Sequence, residues 1–230
     1  MRNYEFRDLG LLGWAQAFGI QQQLVARRKA GEVPDQFLVV EHPHVVTVGR
    51  NGHDENLLAS PEVLLRTGIE MYRADRGGDV TYHGPGQIVG YPILDLRDWK
   101  RDVGAYVRAI EQMLIDTLSD FGIAAVREPG LTGVWVQAAK IAAIGVHLSR
   151  WVTSHGFALN VSTDLQYFSY IVPCGLTKPV TSMQQLGVEA PRQDVIDRIR
   201  RHFERIFELQ QPGGGLESAG APALQLIGRV

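Results

Sequence analysis

Apolar side chains recur at steps of three and four residues through Val103, Tyr106, Val107, Ile110, Leu114, Leu118 and Phe121. That period gathers them on one helical face and predicts an amphipathic helix over Asp102–Asp120, with Gly122 as its stop. Val195, Ile196, Ile199, Phe203, Ile206 and Phe207 repeat the pattern near the C-terminus. A third helix is predicted over Leu12–Lys29, after Gly10, with Trp14, Phe18 and Val25 near one face. A short fourth runs from Ser60-Pro61 to Gly68, because serine caps a helix and proline fits its first turn.

Other runs are short and rich in β-branched or aromatic residues: FLVVEH (37–42), VVTVG (45–49), MYRADR (71–76), DVTYH (79–83) and QIVGYPILDL (87–96). GVWVQ (133–137), KIAAIGVHLS (140–149) and HGFALNVS (155–162) follow. Only a few turn residues separate several of them, which favours antiparallel or mixed pairing. The helices come in separate blocks and do not alternate one-for-one with strands. The expected class is therefore α+β, not a doubly wound parallel sheet. From Gln210 the composition shifts to QQPGGGLESAGAPALQLIGRV, so one domain is expected over 1–209 and a Gly/Pro/Ala-rich tail over 210–230.

The chain has 230 residues, 45% hydrophobic and 21% charged, the composition of an ordinary globular protein. A formal charge of −2 supplies no global field for nucleic acid or an anionic membrane, and neither is an expected partner. Arg27-Arg28-Lys29 ends a predicted helix, where cations complement the helix dipole. One cysteine forbids an internal disulfide and any multi-cysteine zinc site, as suits a reducing compartment. MRNYEFRDLGLLGWAQAF lacks the continuous apolar core of a signal peptide, and no run reaches membrane-spanning length, so the cytosol is the expected location. EHPH offers Glu41, His42 and His44, but this spacing matches no helical zinc signature and Pro43 suits a strand end.

The richest stretch is RGGDVTYHGPGQ, Arg76 to Gln87. Its glycines let a backbone turn sharply and approach a ligand closely. Along a strand Thr81 and His83 share one face, opposite Tyr82. The stretch is neither a GxxxxGK[ST] phosphate loop nor a GxGxxG fingerprint, and a plain hairpin with glycine turns would read similarly. As a binding site, it should be blocked by a bulky residue at Gly78 without loss of the fold.

Cys174, in IVPCG, is either a packed, inert thiol or a nucleophile. A free thiol is only slightly ionised at neutral pH, so nucleophilic work needs a nearby cation or base. Lys140 opens an otherwise apolar strand, where it either marks a solvated hairpin end or carries its stem inward beside a site. His83 and His155 are competing partners for the thiol.

EHPHVVTVGR, RGGDVTYHGPGQIVGYPILDL, GVWVQAAKIAAIGVHLSRWVTSHGFALNV and IVPCGLTKPVTSM, in this order and spacing, resemble the lipoyl(octanoyl) transferase family over roughly residues 5 to 208. The resemblance puts Cys174 on the family's nucleophile and Lys140 on its partner lysine. It implies substrate binding by Arg76, Gly77, Gly78, Asp79, Val80, Thr81, Tyr82 and His83. Ala143, Ile144 and Gly145, with Gly156, Phe157 and Ala158, fall on the family's other acyl-site segments. The implied fold is that of biotin and lipoate ligase catalytic domains, a mixed sheet with a smaller second sheet, flanked by helices.

The implied reaction takes an octanoyl group from octanoyl-acyl carrier protein to a lysine of a lipoyl domain, through a cysteine thioester. The implied acceptors are the lipoyl domains of 2-oxoacid dehydrogenases and the glycine cleavage H protein. No ATP and no metal are expected, and the expected assembly is a monomer. The rival readings are an ATP-dependent lipoate or biotin ligase, a Cys–His hydrolase and a non-catalytic binding module.

Overall fold

The computed structural model describes residues 1–171 and 178–212. Strands β1 (Arg2–Leu11), β2 (Asp35–Glu41), β6 (Gln87–Ile93), β7 (Val126–Glu128), β8 (Leu131–Val136), β9 (Ala139–Ser149), β10 (Val152–Asn160) and β11 (Leu209–Gln210) form an eight-stranded sheet. Its order is β11-β1-β2-β6-β10-β9-β8-β7. A second, three-stranded sheet has β3 (Val45–Val48) between β4 (Glu70–Arg73) and β5 (Val80–His83). β1 runs parallel to β2 and β11, and β3 to β4; the remaining pairs are antiparallel. The α+β class is what the pattern of strands and helices predicts, and the large mixed sheet with a small one is what the family resemblance implies.

The helices are α1 (Trp14–Ala30), α2 (Pro61–Thr67), α3 (Val103–Ser119) and α4 (Arg192–Phe207). α3 begins where Asp102 accepts a hydrogen bond from Ala105 N, a side-chain cap that replaces a missing helical partner. α1 ends at Gly31 in the left-handed region. Three of the strands lie outside the sequence expectation: β1, β7 and β11.

Alternation along the central strands divides the large sheet's two faces. Ile88, Ala142, Phe157 and Leu159 join α3 and α4 in the main core. Val89, Tyr91 and Ala158 face the other way, beneath Ala17 and Leu24 of α1. Val46, Val48, Val80, Tyr82 and Ile171 make a separate core on the small sheet. Among the described residues, no helix is long and apolar enough to cross a membrane.

Candidate active site

The hairpin β9–β10 supplies the floor of the site. Ala143 pairs with Ala158 and Gly145 with Gly156, so two rows of small residues lie side by side on the face toward α1. Small size is enforced at Gly156, where a β-carbon would collide with the carbonyl oxygen of Gly90. Over this floor stand Gly77, Gly78, Thr81 and His83, and the cavity between holds about 480 Å³ of unfilled space, part of it open to solvent. Ile144, Phe157, Val89, Tyr91, Trp14 and His155 complete its wall.

Arg76 orders the glycine loop. Its Nη2 donates to the carbonyl oxygen of Thr47 at 2.6 Å and to Thr47 Oγ1 at 2.8 Å, while Nη1 donates to Gly77 O at 3.1 Å. Gly77 N donates to Val146 O at 2.9 Å, which ties the loop to β9 and commits that amide. Gly78 takes φ +83°. Asp79 turns away from the cavity: its Oδ1 accepts from Val80 N at 2.7 Å and His53 N at 3.1 Å, and its Oδ2 from Asn56 Nδ2.

The strand alternation expected for β5 holds. Thr81 and His83 line the cavity, whereas Val80 and Tyr82 are buried in the small sheet's core. The structure therefore gathers Arg76, Gly77, Gly78, Thr81, His83, Ala143, Ile144, Gly145, Gly156, Phe157 and Ala158 around one space. Asp79, Val80 and Tyr82 instead support it from behind.

A buried polar chain leads away from His83. Gln87 Nε2 donates to Asn160 Oδ1 at 2.9 Å, and Asn160 Nδ2 donates to Thr181 O at 3.0 Å. Gln87 Oε1 is then the acceptor toward His83 Nδ1, 2.7 Å away, which assigns the proton to Nδ1 and leaves Nε2 an acceptor. Burial, reinforced by neighbouring His42, pushes the His83 pKa down to about 3, so the ring is neutral at pH 7. His42 donates from Nδ1 to Leu12 O at 2.7 Å and accepts from Tyr91 OH at 2.8 Å. Sequence reasoning missed Gln87 and Asn160. Their signal was an amide opening one apolar strand run, at the end of the stretch Arg76–Gln87, and another within a second run.

Lys140 is 9% exposed and lines an adjoining hollow with Thr81, Ala143, Ala158 and Asn160. Its Nζ stands 4.8 Å from the Trp135 ring centroid, and Lys178 Nζ stands 5.1 Å from the same ring. Such a ring face attracts cations. Lys178 also pairs with Glu128 at 2.6 Å. Around Lys140 the backbone is paired on both sides: Lys140 N donates to Pro179 O, and Thr181 N donates to Lys140 O, each at 2.9 Å. Cys174 lies outside the described residues. The chain before it bridges Leu57 through Ile171, and the chain after it bridges Lys140 through Val180.

His155, the other candidate thiol partner, sits at the far end of the cavity from Lys140. Its Nε2 donates to Asp75 Oδ1 at 2.6 Å, its ring stacks on Phe18 at 5.5 Å, and its backbone has φ +55°. Glu41, His42 and His44 do not converge; His44 Nδ1 instead meets Tyr82 OH at 2.7 Å. Among the described residues, no group of three or more His, Cys, Asp or Glu is placed to hold a metal.

Comparison with known proteins places this architecture. Residues 14–204 match the family described as the lipoyl protein ligase A/B catalytic domain. An octanoyltransferase of Solibacter usitatus is 67% identical over 220 residues, covering 95% of this chain and 100% of that protein. An octanoyltransferase of Koribacter versatilis is 52% identical over 210 residues, covering 88% of this chain and 84% of that one. Among solved structures, the bipartite lipoate protein ligase of Thermoplasma acidophilum superposes with a TM-score of 0.74 at 16% identity, over 95% of this chain and 88% of that one. A lipoate-protein ligase A bound with ATP gives 0.72 at 14% identity, over 94% and 90%. At those identities the two structures speak for the fold alone.

Proposed function

We propose the reaction from one premise: the chain belongs to the lipoyl protein ligase A/B catalytic domain family, and as a relative of the octanoyltransferases it is an acyltransferase. It moves an octanoyl group from octanoyl-acyl carrier protein to a lysine of a lipoyl domain. The observation that carries this reading is the small-residue cavity of Ala143, Gly145, Gly156 and Ala158 meeting the hollow of Lys140. Burying about seven carbons at ~0.8 kcal/mol each favours binding by at most ~5–6 kcal/mol, enough to seat a medium-length chain.

The chemistry proceeds in two half-reactions. The Cys174 thiolate attacks the donor's carbonyl carbon; the tetrahedral oxyanion collapses, the carbon–sulfur bond to the carrier's pantetheine breaks, and the Lys140 ammonium gives its proton to the departing thiolate, leaving Nζ neutral. The acceptor amine then attacks the new thioester. A carbon–nitrogen bond forms, the bond to Cys174 Sγ breaks, and Lys140 Nζ takes the amine's proton. Exchange of one thioester for another is nearly isoenergetic, and the amide product draws the second step forward, so neither half-reaction needs ATP. A Lys140 ammonium beside the thiol lowers its pKa, each unit corresponding to about 1.4 kcal/mol. Backbone amides that face the oxyanion would act as its electrostatic partners. Gly77 is not among them, since its amide already serves Val146.

Intact mass after incubation with octanoyl-acyl carrier protein, without ATP, tests the mechanism. One octanoyl group should be added, map to Cys174 and be released by hydroxylamine. Lys140→Met should slow transfer by orders of magnitude and delay thiol alkylation at pH 7, with recovery as pH rises. Labelling that requires ATP would instead assign a ligase. Normal transfer in Lys140→Met would remove the lysine from the chemistry.

A further inference from the structure

Three hollows follow one another along the same face of the β9–β10 hairpin. The first contains Lys140 and shares Ala143 and Ala158 with the second, the acyl cavity. The third lies beyond it, lined by His147, Ser149, Ser154 and Asp75 with Phe18 and Lys29 from α1. Residues 143, 145, 147 and 149 of β9 alternate onto this face, as do 158, 156 and 154 of β10.

Between the second and third hollows stands His155, 3% exposed and registered opposite Val146. Strict alternation would send the residue beside Gly156 to the sheet's opposite face. The left-handed backbone, φ +55°, instead accompanies a ring among α1-side groups: it stacks on Phe18 at 5.5 Å and meets Tyr91 edge-on at 6.4 Å. Asp75 Oδ1 accepts from its Nε2, and its backbone N donates to Gln21 Oε1. Phe18 stacks on Trp14, and Trp14 on Tyr72 of the small sheet, each at 4.9 Å. A continuous row of rings thus crosses the end of the cavity. From Ala143 to Val146 is three residues, or ~10 Å of strand. A staggered octanoyl chain has seven carbon–carbon bonds of roughly 1.5 Å and reaches ~9 Å.

We propose that His155, clamped by Asp75 and backed by Phe18, is the end wall of the acyl channel and sets its length at about eight carbons, with a polar chamber sealed off behind it. The inference rests on the acyl-transfer reading for the identity of the ligand and on the geometry alone for the wall. A longer chain must displace the ring or fold back on itself.

The test is calorimetric binding of the free alkanoates, hexanoate through dodecanoate, to the full chain. Each methylene buried strengthens binding about fourfold. In the parent protein, affinity should climb to octanoate and then level off or fall. His155→Gly suits a left-handed backbone and joins the two spaces, so the dodecanoate-to-octanoate affinity ratio should rise at least tenfold. Phe18→Ala removes the backing ring from a helix and should shift the ratio the same way, whether or not the glycine variant folds. Parent affinity that keeps climbing through dodecanoate overturns the wall, as does an unchanged ratio in folded Phe18→Ala. Acyl transfer is assayed separately: a parent that binds octanoate with this length profile yet transfers nothing refutes the transferase reading and leaves the wall standing.

Discussion

At Gly78 the backbone has φ +83°, a region where a β-carbon crowds the chain, whereas Gly77 has an ordinary conformation and an added β-carbon would meet only Val146 O, at 3.4 Å. The sequence expectation that a bulky residue at Gly78 would spare the fold is therefore corrected, because any side chain there carries strain. Gly78→Ala should cost about 1–2 kcal/mol of stability in urea denaturation, and Gly77→Ala under about 0.5 kcal/mol. Equal, small losses would show that the loop does not need its left-handed turn. At this scale the sequence was legible where local rules applied. Thr81 and His83 share a face because strands alternate, and glycine runs mark the turn. His155 was not legible as a wall, since its side depends on a single dihedral that breaks the alternation, and on Phe18, more than a hundred positions away.

The elements were legible in proportion to their periodicity. α3 and α4 bury a regular apolar face, and their expected extents differ from the observed ones by a few residues. β1 escaped because only Tyr4 of its ten residues is buried, so RNYEFRDLGL carries no clear alternation. Its place comes from pairing with β2 and β11, which no local window contains. α1 links stability to the site. Its Leu24 packs, 3% exposed, beside Val40, Val89 and Tyr91, while Trp14 and Phe18 reach the cavity's end. Leu24→Ala should lower stability by about 2–4 kcal/mol in urea, as truncation of a buried leucine does. A loss below about 1 kcal/mol would mean that α1 is only loosely seated on the sheet.

Across the whole molecule, three histidines are buried in neutral form around the cavity. Burial lowers the pKa of His42 and of His155, and takes His83 to about 3. Each is near 6.5 when the chain is unfolded, so between these limits the unfolded state binds the extra protons. Stability is then fully present above about pH 6.5 and lost as pH falls. His83 alone should contribute a slope of about 1.4 kcal/mol per pH unit between pH 6.5 and its folded value. Denaturation midpoints of the parent and His83→Gln between pH 7 and 4.5 check this, and the variant's curve should be flatter. Parallel curves would mean that His83 takes up its proton without unfolding the protein. The α+β class was legible from strands and helices in separate blocks, and the division into two sheets only through the family resemblance. Their facing surfaces were not, because the cavity arises where the glycine loop hydrogen-bonds back onto β9.

The left-handed backbone of His155 bears on how a lineage with this fold changes its preferred fatty chain. Few residue types settle comfortably at φ +55°, chiefly glycine, asparagine and aspartate, so drift at that position is confined to a narrow set of exchanges. Phe18 and Trp14 lie on an ordinary helix, whose backbone accepts apolar residues of many sizes. Relatives that favour longer or shorter acyl groups should accordingly differ first at the helical positions, and the histidine on the strand should be the last part of the row to vary.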